Sequence, residues 1–417
     1  MSKVGATVRR TFGSVRASRN FRLYFLGQVV SITGTWINAT AGAVLVLRLS
    51  HSGVALGFNT ALLFGPVLLL GAVGGVLADR LDKRRILVWT QSLYALVALA
   101  MWLLVATDVV QLWMVYALSF VAGVVTAADN PARQSFYIEL VGEDRLTNAV
   151  SLNSAVFTGT RILGAVIAGY VIHAAGLAVC YMIDCLSYLA VIAALSAMRP
   201  QEMHMQARST RDGGHLKEGL RYVWNTPELR RPLTLMAVVF TFAFNFMVLI
   251  PLLATRTFGG DARTLGWLSA FAGIGMFAGA ITMATRATRP TSARLSGFAA
   301  LFGAALVVEA LAPTLGLAYL LMVPLGVCAM LFAITANSTL QLTSRPEFRG
   351  RVMALYGMVF LGSTPVGAPI MGWIGESYGA RTALVIGGLV ATAVGLGALR
   401  IWSRGERLAR AAYQPGS

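Results

Sequence analysis

The sequence predicts an all-α membrane protein with twelve transmembrane helices in two pseudo-symmetric six-helix bundles. Of its 417 residues, 57% are hydrophobic and only 12% are charged, whereas soluble domains average about 45–50% apolar and about 25% charged residues. The mean hydropathy is +0.69. The apolar runs are continuous rather than alternating, which excludes a transmembrane β-barrel. The three cysteines are too few for a disulfide framework.

Twelve apolar segments are each long enough to cross a bilayer, which takes about 20 residues. We predict spans at 22–47, 54–78, 86–106, 110–130, 148–172, 177–198, 232–255, 264–285, 294–312, 315–338, 352–374 and 381–402. Prolines inside several of these spans are compatible with helix, because neighbouring helices satisfy the freed backbone groups.

The distribution of Lys and Arg predicts the orientation. If both termini are cytoplasmic, only Arg48, Arg256, Arg263 and Arg381 fall in outer loops, and nearly all other basic residues lie inside. This asymmetry predicts a multi-pass protein of a bacterial cytoplasmic (inner) membrane with both termini inside. The basic N-terminal arm is expected to lie against anionic lipid headgroups.

The longest polar stretch, 199–231, divides the chain into two halves. The predicted parts are an arm at 1–20, a bundle at 21–198, a linker at 199–231, a bundle at 232–402 and a tail at 403–417. The halves are related by a repeat, which is typical of transporters. Seven residues of the first half recur in the second half 203 positions later. In the first half they are Leu152, Val156, Phe157, Gly159, Gly164, Gly169 and Gly176, and in the second half, in the same order, Leu355, Val359, Phe360, Gly362, Gly367, Gly372 and Gly379.

The segment GAVGGVLADRLDKRRIL at 71–87 resembles the loop motif between spans two and three of the major facilitator superfamily. Asp82 departs from that motif, which usually has glycine there. The stretches at 20–37, 129–154 and 215–230 resemble the enterobactin-exporter-like branch, the transmembrane secretion effectors. The resemblance covers nearly the whole chain. The positions matching the gating motif are Gly75, Asp79, Arg80, Lys83, Arg84 and Arg85.

The resemblance implies two bundles that rock about a central cavity, with export driven by proton antiport. The predicted function is therefore a secondary active transporter, a proton-coupled exporter of a small amphipathic molecule such as a siderophore, a secreted metabolite or a drug. Uptake and lipid flipping by the same fold remain alternatives, because a transport cycle can run in either direction.

Other function classes lack their motifs. The sequence has no Gly-x-x-x-x-Gly-Lys-[Ser/Thr] phosphate loop, no Gly-x-Ser-x-Gly and no His-Glu-x-x-His, so we expect no enzyme activity and no nucleotide cofactor. Its histidines lack metal-ligand spacing. The expected partners are a small-molecule substrate, protons and membrane lipids, without nucleic acid, for a chain that functions as a monomer.

Four ionisable residues inside or at the edge of spans are candidates for function, because a charge at the bilayer centre costs at least about 2.5–3.5 kcal/mol. Asp129 and Arg133 are i, i+4 on span four, and they could latch a cytoplasmic gate or form a solvated interfacial pair. Pro131 between them predicts that the helix ends there.

Arg161 lies near the middle of span five and Asp184 in the outer half of span six. Arg161 could hold an anionic substrate, tune a carboxylate or form a structural ion pair, while Asp184, if unpaired, could load and release a proton. Glu309 and Glu376 are expected at headgroup level.

Amide side chains could line the substrate cavity, since they supply hydrogen bonds without a charge, although they could equally join helices. The candidates are Gln28, Asn38, Asn59, Asn153, Asn245 and Asn337.

Overall fold

A computed structural model describes residues 14–15, 18–204, 215–285, 291–345 and 347–412, apart from the side chains of 147, 215–217 and 403–412. The N-terminal arm up to residue 13 and the end of the tail therefore lie outside the described residues. Helices α1 to α6 are Arg19–Ser50, Gly53–Arg80, Lys83–Ala106, Leu112–Val141, Glu143–Ala175 and Leu177–Ser196. Helices α7 to α14 are His215–Asn225, Pro227–Phe242, Phe246–Leu252, Ala262–Thr285, Ser292–Ala310, Leu315–Thr343, Arg349–Ser377 and Ala380–Ala412.

The prediction of twelve spans is confirmed for the described residues, in which twelve helical segments are long and apolar enough to cross a membrane. Helices α8 and α9, with the π-helical turn that follows, together form one of these segments, Pro227–Thr257. Helix α7 lies within the predicted linker. Large apolar side chains such as Leu69, Trp89 and Leu342 are exposed on the protein surface, which suits contact with lipid tails.

Two compact units make up the chain. Unit 1 contains Met1–His51, Leu62–Arg211 and Asp261–Ala270, and unit 2 contains Ser52–Ala61, Asp212–Gly260 and Phe271–Ser417. The units follow the predicted halves except at two helix starts: the first residues of α2 group with unit 2, and the first residues of α10 group with unit 1.

The prediction that Pro131 ends the fourth helix is wrong, because α4 continues to Val141. A proline ring removes one backbone hydrogen bond and crowds one carbonyl. Helix packing can offset that cost: Ala132 and Phe136, in the turns after the proline, are buried in the core of unit 1. The span is thus about three turns longer than predicted at this end.

The seventh span is broken where the sequence predicts a continuous helix. Between α8 and α9 the chain unwinds at 243–245, where Asn245 donates from Nδ2 to the carbonyl oxygen of Thr241 at 2.7 Å. An amide that bonds a freed carbonyl makes such a break tolerable inside a membrane. Phe240, Phe244 and Phe246 surround the break, each within 6.1 Å, centroid to centroid, of another ring of the cluster.

Candidate functional site

The basic residues after α2 join helices within unit 1. Asp82, the departure from the motif, caps the start of α3 by accepting from the amide of Arg85 at 2.9 Å. Lys83 forms an ion pair of 2.6 Å with Glu139 on α4. Arg84 donates to the carbonyl oxygens of residues 195 and 196 at the end of α6. Two members of the cluster are therefore bound to neighbouring helices as well as marking the predicted cytoplasmic side.

The remaining members of the motif are exposed at the same end of unit 1. Asp79, Arg80 and Arg85 lie on the surface, and no ion pair of theirs occurs among the described residues. The close helix contact belongs to Gly74 rather than to Gly75: a Cβ atom at Gly74 would lie 1.9 Å from the carbonyl oxygen of Ala127, whereas one at Gly75 would meet open space.

Asp129 and Arg133 form a buried node within unit 1. The Oδ2 atom of Asp129 accepts from Nε of Arg133 at 2.9 Å and from Nη2 at 2.5 Å. Its Oδ1 atom accepts from Thr90 Oγ1 at 2.7 Å and from Gln91 Nε2 at 3.0 Å, both on α3. Arg133 also donates to Gln28 Oε1 on α1. The node therefore joins α1, α3 and α4.

This node corrects the prediction that Asp129 and Arg133 could be a solvated pair, because the Asp129 side chain is only 3% exposed. Four donors occupy the acceptor positions of the carboxylate. The neighbouring Tyr24 packs edge-to-face on Tyr137 at 5.8 Å, and the Tyr137 hydroxyl donates to Asn153 Oδ1 at 2.6 Å. The Asp129 carboxylate is thus held by an adjacent guanidinium and by two neutral donors.

Asp184 on α6 is fully buried, and its surroundings are different. Asn38 on α1 donates from Nδ2 to Oδ2, and the hydroxyls of Ser187 and Tyr188 lie nearby. The Oδ1 atom has no hydrogen-bond partner in the described part of the chain. No basic side chain there forms an ion pair with Asp184.

Arg161 lies on α5, where its guanidinium stands 5.3 Å from the ring centroid of Trp36 on α1. An Arg161–Asp184 ion pair, which the depth of the two residues left open, is not among those of the described residues. Phe157 packs edge-to-face against Trp36 at 5.5 Å. The sequence pointed to Arg161 but did not predict that Trp36 and Phe157 would lie beside it.

The six candidate cavity amides divide by their contacts. Gln28, Asn38 and Asn153 bond within unit 1, and Asn245 stabilises the break in unit 2. Asn337 contacts the Tyr356 hydroxyl. Asn59 is half-buried, and its Oδ1 atom has no partner among the described residues.

Glu309, which is predicted at headgroup level, faces the interior of its own unit. This residue is 1% exposed inside unit 2, and neither carboxylate oxygen has a hydrogen-bond partner in the described residues. It lies one residue from the end of α11, so sequence position suggested a surface, but the helix face that carries it points inward. Glu376 accepts from Ser52 Oγ at 2.5 Å and from the amide of Val54 at 2.9 Å, at the start of α2.

Twelve described helical segments long enough to cross a membrane, with buried carboxyl groups in both units, are typical of a polytopic membrane transporter. The chain belongs to the transmembrane secretion effector family of the major facilitator superfamily, whose model matches residues 11–409. The predicted family and fold are thereby confirmed.

Two relatives are similar to this chain in sequence, and one solved structure shares its fold. The chain is 28% identical to the multidrug efflux pump Tap of Mycolicibacterium fortuitum, over 83% of this chain and 87% of the relative. It is 24% identical to the enterobactin exporter of Shigella boydii, over 85% of each chain. The crystal structure of a bacterial homolog of the human lysosomal transporter Spinster matches with a TM-score of 0.74 at 14% identity, over 92% of this chain and 97% of that one.

Proposed function

We propose that this transporter exports a small amphipathic molecule from the bacterial cytoplasm in exchange for protons, and that Asp184 carries the proton. The observation that carries the proposal is the contrast between the two buried aspartates of unit 1. Asp129 accepts four hydrogen bonds, two of them from the Arg133 guanidinium, while Asp184 has no ion-pair partner and one unbonded oxygen in the described residues. The exporters among the relatives, Tap and the enterobactin exporter, support the direction.

A buried carboxylate without a charged partner is stabilised by taking up a proton. A proton added to Asp184 removes a buried charge that no ion pair in the described residues balances, whereas a proton added to Asp129 would break the bonds from Arg133. Asp184 therefore changes its charge at little structural cost.

A carrier group also needs a route to water. Asp184 is bonded to Asn38, which is itself half-buried, so the Asn38 amide links the carboxyl group to a more exposed part of unit 1. Glu309, the other buried carboxyl without partners, has no hydrogen-bonded link of this kind in the described residues.

The first experiment compares intracellular and secreted metabolites of a deletion strain and a complemented strain by untargeted mass spectrometry. We expect a compound that accumulates in the deletion cells and is missing from their medium. A compound missing from the cells instead would support uptake, and transfer of labelled lipid between leaflets would support a flippase.

The compound identified in this way is then used in proteoliposomes. Wild-type protein should move it against its gradient when a proton gradient is imposed, and a protonophore should abolish this movement. Asp184→Asn should lose the gradient-driven movement but keep exchange of labelled for unlabelled substrate, because exchange needs no net proton transfer. The matched control Asp108→Asn changes an exposed aspartate and should keep both activities.

Each result bears on a separate part of the proposal. Wild-type transport that ignores the protonophore would refute proton coupling. Gradient-driven transport by Asp184→Asn would remove Asp184 from the coupling, and an exchange-only phenotype in Glu309→Gln would assign the proton to Glu309 instead.

A further inference from the structure

The guanidinium of Arg161 is a permanent positive charge with no anion beside it. It lies near the middle of α5, is partly buried, and forms no ion pair or hydrogen bond within the described residues. A guanidinium has five N–H donors and keeps its proton in proteins. A charge that is expensive to place in a membrane span and has no anionic partner among the described residues is available to an anionic ligand.

An aromatic wall adjoins this charge. Phe157 and Arg161 are i, i+4 on one face of α5, and both contact the ring of Trp36 on α1. The Phe157 side chain is 49% exposed, so one side of the wall is open. The Nε1 atom of Trp36 is buried and has no hydrogen-bond acceptor among the described residues.

A glycine fixes the position of the wall. A Cβ atom at Gly164 would lie 2.6 Å from Cβ of Trp36, so only glycine lets the tryptophan lie directly against α5 beside Arg161. The distance of 5.3 Å between the guanidinium and the ring centroid is within cation–π range. Trp36 therefore holds the Arg161 side chain in place, while the N–H donors of the guanidinium remain unused.

We propose that Arg161, Trp36 and Phe157 form the recognition site for an organic anion that bears a flat aromatic or apolar ring system. The anionic group binds the guanidinium, whose planar fork suits a carboxylate, and the Trp36 N–H adds a donor. The ring system packs on the exposed face of Phe157. The same fixed charge repels cationic molecules of equal size. This inference rests on the proposed transport function, since it names the substrate class.

The test measures binding without any ion gradient, so that it stands apart from proton coupling. Purified full-length protein in phosphatidylcholine nanodiscs is mixed with three probes that share one ring system and differ in charge: radiolabelled naphthoate, naphthamide and naphthyltrimethylammonium. We expect naphthoate to bind the wild type at least about tenfold more tightly than the amide, because one charge-assisted hydrogen-bonded pair is worth roughly that factor or more. The cation should bind most weakly.

Variants locate the effect. Arg161→Gln should weaken naphthoate binding about tenfold and leave naphthamide binding unchanged, while Arg161→Lys, which keeps the charge but loses the planar fork, should fall between them. Trp36→Leu should weaken all three probes together. The matched control Arg48→Gln removes an exposed arginine at the end of α1 and should bind naphthoate like the wild type.

Several outcomes would overturn the inference: no naphthoate binding to the wild type, tighter binding of the cation, or equal weakening by Arg161→Gln and Arg48→Gln. Unchanged naphthamide binding shows that Arg161→Gln is folded. If Arg161→Gln does not bind naphthamide, the comparison is made with Arg161→Lys instead. A naphthoate affinity of Arg161→Lys equal to that of the wild type would then refute the site. Charge-selective binding together with protonophore-insensitive export would instead refute only the coupling mechanism proposed above.

Discussion

Removing the charge of Asp129 should destabilise the protein even though the substitution is nearly isosteric. In Asp129→Asn the remaining carbonyl oxygen can still accept from Thr90 and Gln91, which donate to Oδ1 in the wild type. The amide that replaces Oδ2 cannot accept from Arg133, whose Nε and Nη2 atoms lose their partner. A guanidinium with 20% of its side chain exposed is then left largely buried and uncompensated.

The expected loss of folding stability follows from the ion pair that the substitution breaks. Removing one partner of a buried ion pair costs about 3–5 kcal/mol, and the partial exposure of Arg133 favours the lower end, about 3 kcal/mol. For a cooperative unit of this size, a loss of that magnitude lowers the melting temperature by roughly 6–12 °C. Replacing both charges in Asp129→Asn/Arg133→Met should recover much of the loss, because the node then contains no unpaired charge.

The assay is thermal unfolding of purified protein in detergent, followed by the fraction that stays monodisperse, with Asp108→Asn as the exposed control. Substrate exchange in proteoliposomes is measured on the same preparations. A melting temperature equal to that of the wild type, combined with lost exchange, would refute the reasoning, since it would mean that the pair acts as a gate contact and contributes nothing inside the unit. A double variant less stable than Asp129→Asn would also contradict it.

Three further predictions concern other parts of the chain, each measured by the same melting assay. Gly74→Ala should destabilise by about 1–3 kcal/mol because its methyl group collides with a carbonyl oxygen 1.9 Å away; Gly75→Ala, next to it in open space, is the control and should be neutral or stabilising by up to about 1 kcal/mol. Glu376→Ala should cost about 1 kcal/mol by removing the acceptor at the start of α2, while Glu376→Gln, which keeps an acceptor oxygen, should cost less. For Asp261, partial burial raises the pKa, but hydrogen bonds from the Arg263 guanidinium and from backbone amides outweigh it, so the pKa lies below its ordinary value. A carboxylate whose pKa is depressed in the folded state stabilises that state at pH values above the unfolded-state pKa. This stabilisation is lost as the pH falls through the folded-state pKa. Asp261→Asn should therefore be less stable than the wild type at neutral pH, by under about 1 kcal/mol for this exposed pair, and the difference should shrink as the pH falls below about 3.9, the ordinary pKa of an aspartate. A difference that grows on acidification would contradict the sign.

The number of spans, their order and the family could be predicted from the sequence. Each span depends on the apolar content of one continuous segment, and the motif at 71–87 is likewise local. For this reason all twelve predicted spans have a matching segment in the described residues, and the family membership is confirmed. Local signals failed at Pro131, where packing outweighs the proline, and at 243–245, where the helix breaks without proline or glycine.

The partners of the buried charges were decided only by the tertiary structure. Sequence placed Asp129, Arg161 and Asp184 at their depths in the membrane, but depth does not fix the rotation of a helix about its axis. That rotation, set by packing across the whole unit, turns Asp129 toward four donors, Asp184 toward Asn38, Arg161 toward Trp36 and Glu309 into the interior. Hydropathy depends on which residues a helix contains, and the chemistry of a site depends on which face of that helix meets its neighbours.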